Sequence, residues 1–153
     1  MKKLRIYLDT SVIGGCFDDE FSEESRKLIN EIKNNDKKGV ISDITLREMM
    51  EAPQEIIQYF HTFKETLEIV QITTEADDLS EEYLRAKIIG VKFKNDSLHI
   101  AAATISQVDV LVSWNFKHIV NYNKIIQFNS VNIRNGFKPL QIFSPKEVLS
   151  YDK

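Results

Sequence analysis

The chain has 153 residues, enough for one domain with a sizeable core and too few for two ordinary ones. Apolar residues make up 42% and charged residues 28%, and the formal net charge of -3 excludes a general basic coat, so any nucleic-acid contact must be local. The single cysteine, Cys16, excludes an internal disulfide and a multi-cysteine zinc site, and reads as a small packing residue with a reduced thiol in a cytoplasmic protein.

Met1-Lys2-Lys3 precedes a short apolar stretch broken by Arg5. Neither a signal peptide nor a membrane span of about 20 apolar residues is expected. Leu4 to Leu8 reads as a buried strand ending in an Asp9-Thr10-Ser11 loop. Ser22 to Lys33 carries Leu28, Ile29 and Ile32 among charges, the pattern of an amphipathic helix. Gly39 to Ser42 is a second strand; Thr45 to Glu51 and Pro53 to Phe63 are helices. Leu67 to Ile72 is a third strand. Thr74 to Ile89 is a long helix with a Thr74/Asp77 capping box, closed by Gly90. Asp96 opens a helix to Ser106 whose Ala101-Ala102-Ala103 run suits close packing on a sheet. Val108 to Ser113 is an apolar strand, His118 to Asn132 a helix rich in asparagine, and Leu140 to Phe143 a last strand. Ser144-Pro145-Lys146-Glu147 starts a final helix.

Strands thus alternate with helices, the pattern of an α/β/α sandwich around a mostly parallel sheet, spanning residues 1–153 as a single domain. In such sheets ligands sit beyond the carboxyl ends of the strands. Asp9 follows the first strand and Asn115 the Val108 to Ser113 strand; Asp96 opens a helix, and Glu48 lies in the helix after the second strand. Clustered carboxylates repel unless a cation or proton is shared. Oxygen ligands suit Mg2+ or Mn2+ rather than zinc. Each residue also has a plainer reading: Asp9 as a turn residue, Asp96 as a helix cap, Thr45/Glu48 as a capping box, Asn115 as loop.

Four segments resemble, in order, the motifs of PIN-domain nucleases, including VapC-like toxin ribonucleases. Ile6-Tyr7-Leu8-Asp9-Thr10-Ser11-Val12-Ile13 resembles the first, an apolar strand ending in Asp. Ile41-Ser42-Asp43-Ile44-Thr45-Leu46-Arg47-Glu48 is similar to the second, a Ser-led segment reaching a Glu. Asn95-Asp96-Ser97-Leu98-His99-Ile100-Ala101-Ala102-Ala103 is similar to the third, an Asp opening an alanine-rich helix. Val110-Leu111-Val112-Ser113-Trp114-Asn115-Phe116 is similar to the fourth, a strand leading to a final Asp and an aromatic. The order covers roughly residues 4 to 120. Asn115 stands where many members carry Asp, which keeps an oxygen ligand, loses a charge and puts a second tightly held metal in doubt.

The resemblance implies a PIN-like fold and a metal-dependent endoribonuclease, leaving a 5′-phosphate and a 3′-hydroxyl. It implies Asp9, Glu48 and Asp96 as a carboxylate cage for Mg2+ or Mn2+, with Asn115 beside them. Ser11 and Ser113 would aim carboxylates or bound waters. Arg47, Lys92, Lys94 and Lys117, with Arg85 and Lys87, are candidate contacts to the RNA backbone; taken singly, each reads first as a solvated surface charge. Trp114 reads either as a base-stacking platform or as packing at a strand end. His99 reads as a buried, hydrogen-bonded histidine, and His61 and His118 have no metal-ligand spacing. A small antitoxin partner and a homodimer follow from the likeness to toxins.

Two rivals lack their marks. A haloacid-dehalogenase-like phosphatase would place a second Asp at Ser11, and a P-loop needs more than Gly14-Gly15. The remaining alternative is a catalytically weak PIN-like module that binds RNA or protein, favoured by Asn115 and the acidic charge.

Overall fold

The computed structural model describes residues 3–150. Five short apolar runs form strands: β1 (Arg5–Leu8), β2 (Lys38–Ser42), β3 (Glu68–Val70), β4 (Val110–Val112) and β5 (Ile142–Phe143). They lie in the order β3-β2-β1-β4-β5, and every neighbouring pair is parallel. The sheet predicted as mostly parallel is parallel throughout. Parallel neighbours need long crossovers. Among the described residues seven helices lie in these connections, α1 (Thr10–Gly15), α2 (Ser22–Lys33), α3 (Asp43–Met50), α4 (Gln54–His61), α5 (Thr74–Arg85), α6 (Lys94–Ile105) and α7 (Tyr122–Arg134), and α8 (Pro145–Ser150) follows the last strand.

The period of two along a strand divides the core. Ile6 and Leu8 of β1, with Val110 and Val112 of β4, pack against Val12, Leu28, Ile29 and Val148 of α1, α2 and α8. Tyr7 and Leu111, between them in sequence, pack on the other face against Leu79, Ile100, Ala101 and Phe128 of α5, α6 and α7. Both faces are therefore covered, which is why β1 and β4 read as continuous apolar runs instead of alternating ones. Each fully buried Ile or Leu stabilises the sandwich by about 1.5–3 kcal/mol. Ser97 to Thr104 of α6 is buried without a break, so the small side chains of Ala101–Ala103 lie inside a layer and face no solvent.

The chain runs outward from β1 to β2 and β3, then returns to the other side of β1 as β4 and β5. The order reverses between β1 and β4, and the crevice at their carboxyl ends is the topological switch point of the sheet.

Local chemistry departs from the sequence reading in several places. Thr10 to Gly15 is helix α1, not loop; Asp9 is its extended N-cap residue, with φ -65° and ψ 147°. Thr73 caps α5 by accepting the Ala76 N–H at 3.1 Å, so the expected Thr74/Asp77 box is not made. That helix stops at Arg85, because Lys87 takes the left-handed conformation (φ 60°), and Gly90 instead leads into a short 3-10 turn, Val91–Phe93. α6 opens at Lys94, which puts Asp96 inside its first turn. His118 to Val120 precede α7, whose cap is Asn121. The Ser144/Glu147 box forms as expected, with bonds of 2.9 and 3.2 Å.

Candidate active site

Asp9 is the residue where β1 ends. Its N–H donates to the Val112 carbonyl of β4 at 3.0 Å, which seats it at the switch point. Its carboxylate makes no helix cap. Instead Oδ2 accepts the Ser11 hydroxyl at 2.7 Å and the Ser113 hydroxyl at 2.8 Å. Those hydroxyls accept the N–H groups of Trp114 and Asn115, both at 2.9 Å, so the segments after β1 and β4 are laced together around one carboxylate oxygen. Asp9 is 5% exposed. Its Oδ1 meets only His99 Nε2 at 3.7 Å, beyond hydrogen-bond reach.

Glu48 comes from α3. Ser42 sets that helix start: its hydroxyl accepts the Ile44 N–H at 3.3 Å, while its own N–H donates to Thr45 Oγ1 at 3.3 Å. The capping box thus uses Ser42 and Thr45, leaving Glu48 free of the capping role its spacing suggests. Its Oε1 accepts the Thr10 hydroxyl at 2.6 Å and His99 Nε2–H at 2.7 Å.

His99 is wholly buried, as its sequence reading expects. Its Nδ1 faces the Tyr7 hydroxyl at 2.7 Å, and that hydroxyl lies 2.7 Å from Ser42 Oγ. A carboxylate only accepts, so Nε2 carries a proton. Burial alone would lower the His99 pKa; Tyr7 and the Glu48 and Asp9 carboxylates outweigh it and hold the imidazole well above its ordinary value of 6.5. Burial likewise pushes Glu48 up, but the His99 bond and charge and the Thr10 bond bring it below 4.5. The two form an ion pair at the edge of the crevice.

Asp96 sits opposite. Its Oδ2 accepts from His118 Nδ1 at 2.9 Å, and Asn115 Nδ2 lies 3.4 Å away. Asn115 Oδ1 accepts the N–H groups of Lys117 and His118 at 3.2 and 2.9 Å, which fixes the amide with its nitrogen towards Asp96. The Phe93 ring, 4.1 Å from His118, braces the imidazole. Burial pushes the Asp96 pKa up, the His118 bond lowers it, and the Asp9 charge raises it; the balance lies above the ordinary carboxyl value. Asp9 and Asp96 therefore feel each other, the repulsion that a shared cation relieves.

The sequence-predicted residues Asp9, Glu48, Asp96 and Asn115 do converge at the carboxyl ends of β1 and β4, with Ser11 and Ser113 on Asp9. Among the described residues, however, no group of three or more His, Cys, Asp or Glu side chains is arranged to hold a metal ion. Glu48 Oε1 is committed to Thr10 and to the His99 ion pair. Asp9 Oδ1 and Asp96 Oδ1 accept no hydrogen bond from a described residue. Two aspartate oxygens without a protein donor are hard, anionic ligands, the donor type a divalent cation such as Mg2+ would take with water completing its shell.

The other candidates divide. Trp114 is a packing residue: it is 8% exposed, stacks on Phe21 at 4.2 Å and donates its indole N–H to Ser25 at 2.7 Å. Gly15 leaves room for it, since a Cβ there would lie 2.9 Å from the indole. Lys94 pairs with Glu81 at 2.8 Å and Asp77 at 3.3 Å, away from the crevice acids. Arg85 pairs with Glu82. Lys92 lies over the Phe93 ring at 5.1 Å, while Arg47 and Lys117 are exposed. Sequence reading missed Thr10, Tyr7 and the His118–Asp96 contact. None of the three carried a local signal; the spacing of three from Asp96 to His99 predicted only a shared helix face for those two. Cys16 is buried, and burial pushes its thiol up, as a packing residue requires.

Two linked pKa shifts make a pH prediction for metal-free protein. A raised His99 contributes stability fully below 6.5, lost as pH rises through its folded value; a lowered Glu48 contributes above 4.5, lost as pH falls through its folded value. The pair's contribution to the denaturant midpoint is thus greatest at mildly acidic pH and declines on the alkaline side. His99→Ala should flatten that alkaline decline; an identical pH profile in the variant would refute the ion pair.

No helix among the described residues is long and apolar enough to cross a membrane. No family model matches the chain, and no curated protein does. Solved structures do match over most of its length. A chain of VapBC2 from Rickettsia felis, bound to a promoter DNA fragment, is similar at 20% identity, TM-score 0.59, covering 92% of this chain and 98% of that one. DNA-bound VapBC from Salmonella typhimurium is similar at 19% identity, TM-score 0.59, covering 93% and 98%. VapC20 of Mycobacterium tuberculosis, a toxin that cleaves the sarcin-ricin loop, is similar at 14% identity, TM-score 0.55, covering 89% and 98%.

Proposed function

We propose that this chain, which has a PIN-like fold of the VapC type, is a metal-dependent endoribonuclease acting as the toxin of a toxin–antitoxin pair. One observation carries the reading. At the switch point of the sheet, Asp9 and Asp96 each turn one oxygen to protein donors and keep the other free, and Asp9 still raises the Asp96 pKa. Paired acids kept under repulsion suit a cation site better than a structural role.

Asp9 and Asp96 would hold Mg2+ or Mn2+, which when bound lowers the pKa of coordinated water and neutralises charge on the phosphate. The chain's own residues do the positioning. Ser11 and Ser113 fix the rotamer of Asp9. His118 and the Asn115 amide fix Asp96 and offset part of its charge. Glu48, held ionised by His99 and Thr10, lies at the edge of the crevice, where it can orient a water. The products would be a 5′-phosphate and a 3′-hydroxyl. The similarity to chains from toxin–antitoxin complexes supports an antitoxin partner, and a homodimer is part of the same reading.

The test is cleavage of a mixed RNA pool with Mg2+ or Mn2+, and with chelator as control. Cleavage in metal that chelator abolishes is the expected result. Tight RNA binding without cleavage under any divalent ion would favour the alternative, a catalytically weak binding module, for which Asn115 and the His99–Glu48 pair are the supporting features.

A further inference from the structure

Beside the acidic crevice lies a cleft of opposite character. It has a volume of about 440 Å³ and is lined by Lys87, Lys117, Lys124 and His118, with Gly90 and Val91 on its wall and no carboxylate in its lining. In a chain of net charge -3, this is a local concentration of positive charge. The two sites share a residue: His118 lines the cleft while its Nδ1 bonds Asp96 at 2.9 Å.

The lysines reach the cleft for separate local reasons. Lys87 is the left-handed residue (φ 60°) that ends α5, a position glycine usually takes, so the helix stop itself delivers a charge to the rim. Lys117 follows Asn115, whose side chain accepts its N–H at 3.2 Å, which ties the lysine's backbone to the acidic site. Lys124 lies in the first turn of α7 and donates to the Ile88 carbonyl at 2.7 Å; an ammonium has three donors, so two remain. Neither Lys87 nor Lys117 forms a side-chain ion pair with a described residue. Val91 is 78% exposed and offers apolar surface beside the charges, suited to a sugar or base edge.

We propose that this cleft is a subsite for the sugar-phosphate backbone of single-stranded RNA flanking the scissile phosphodiester. The lysines contact phosphates on the strand as it leaves the Asp9–Asp96 crevice. Only the identity of the ligand rests on the nuclease reading; the charge pattern stands without it. The site explains how an acidic protein holds a polyanion next to three carboxylates: attraction is placed to one side of the acids, not among them.

The test is fluorescence anisotropy of a labelled single-stranded RNA in chelator, where binding is read without turnover, across a salt series. Lys87→Gln/Lys117→Gln removes two exposed charges with no side-chain partners, so folding is preserved. Each lost phosphate contact lowers the slope of log affinity against log salt by about 0.7. The double variant should therefore lose about 1.4 of slope, and wild type should fall about sevenfold more than the variant between roughly 50 and 200 mM salt. Lys124→Gln should add a further decrease, and Lys27→Gln/Lys146→Gln, distant on α2 and α8, should leave the slope unchanged. An unchanged slope in Lys87→Gln/Lys117→Gln overturns the proposal, including the case where an acidic protein segment fills the cleft. Altered slopes in a protein that never cuts RNA would remove the nuclease reading and leave the subsite standing.

Discussion

Asp9→Asn is expected to reduce RNA cleavage by about a thousandfold or more while the protein stays folded. The expectation of a folded variant comes from hydrogen-bond chemistry. Oδ2 of Asp9 only accepts, from Ser11 and Ser113. An asparagine carbonyl accepts both bonds in the same place, and its amide nitrogen takes the position of Oδ1, where no described residue donates. The lacing of the β1 and β4 ends therefore survives, and the melting temperature should move by only a few degrees. What is lost is the charge. Metal catalysis of phosphoryl chemistry is worth several kcal/mol of transition-state stabilisation, and about 1.4 kcal/mol is tenfold in rate. Removing the Asp9 charge also relieves its repulsion of Asp96, so Asp96 should titrate lower in the variant, visible in a carboxyl-carbon NMR titration. A variant that cleaves as fast as the parent ends the catalytic assignment of Asp9.

His99→Ala should be the most damaging substitution for stability in the crevice, about 3 kcal/mol. Three losses combine. A fully buried ring leaves a void. The Tyr7 hydroxyl, itself buried, keeps only Ser42. Glu48 keeps Thr10 but loses its cationic partner, so an ionised carboxylate remains half-buried without its counter-charge. For a chain of this size the melting point should drop by about 10 °C. A second measurement separates charge from packing. Freed of the imidazole, Glu48 becomes available to a divalent ion, so calorimetry should show tighter Mn2+ binding in the variant. Weaker or unchanged binding would show that Glu48 faces away from the cation site, and that the pair is structural only.

The sandwich and its site were legible in the sequence to different depths. Apolar runs ending in polar residues located β1, β2 and β4, because strands buried on both faces have no choice but continuous hydrophobicity. Asp9 and Asn115 then followed from the strand-end rule alone. Glu48 needed the family resemblance, since a helical Glu three residues after a Thr is ordinarily a cap; the true cap, Ser42, lay one turn earlier. Helix α1 was invisible because its six residues include two glycines and no amphipathic period. The His118–Asp96 bond joins residues 22 apart through the loop before α7, and no local pattern encodes such a contact. Trp114 illustrates the limit of residue type: the same indole serves stacking or packing, and only the neighbouring Phe21 and Ser25 decide it.

The two serines on Asp9 lie at opposite ends of a long chain segment: Ser11 is two residues away, Ser113 is 104. Asp9 acquires its full setting only when β4 docks beside β1, a closure across about two thirds of the polypeptide that carries a large entropic cost until the intervening layers pack. A growing chain on the ribosome would accordingly hold an unaimed acid until synthesis passes β4. For the proposed nuclease, the carboxylate that would hold the cation is thus aimed only after β4 has been made and has docked beside β1.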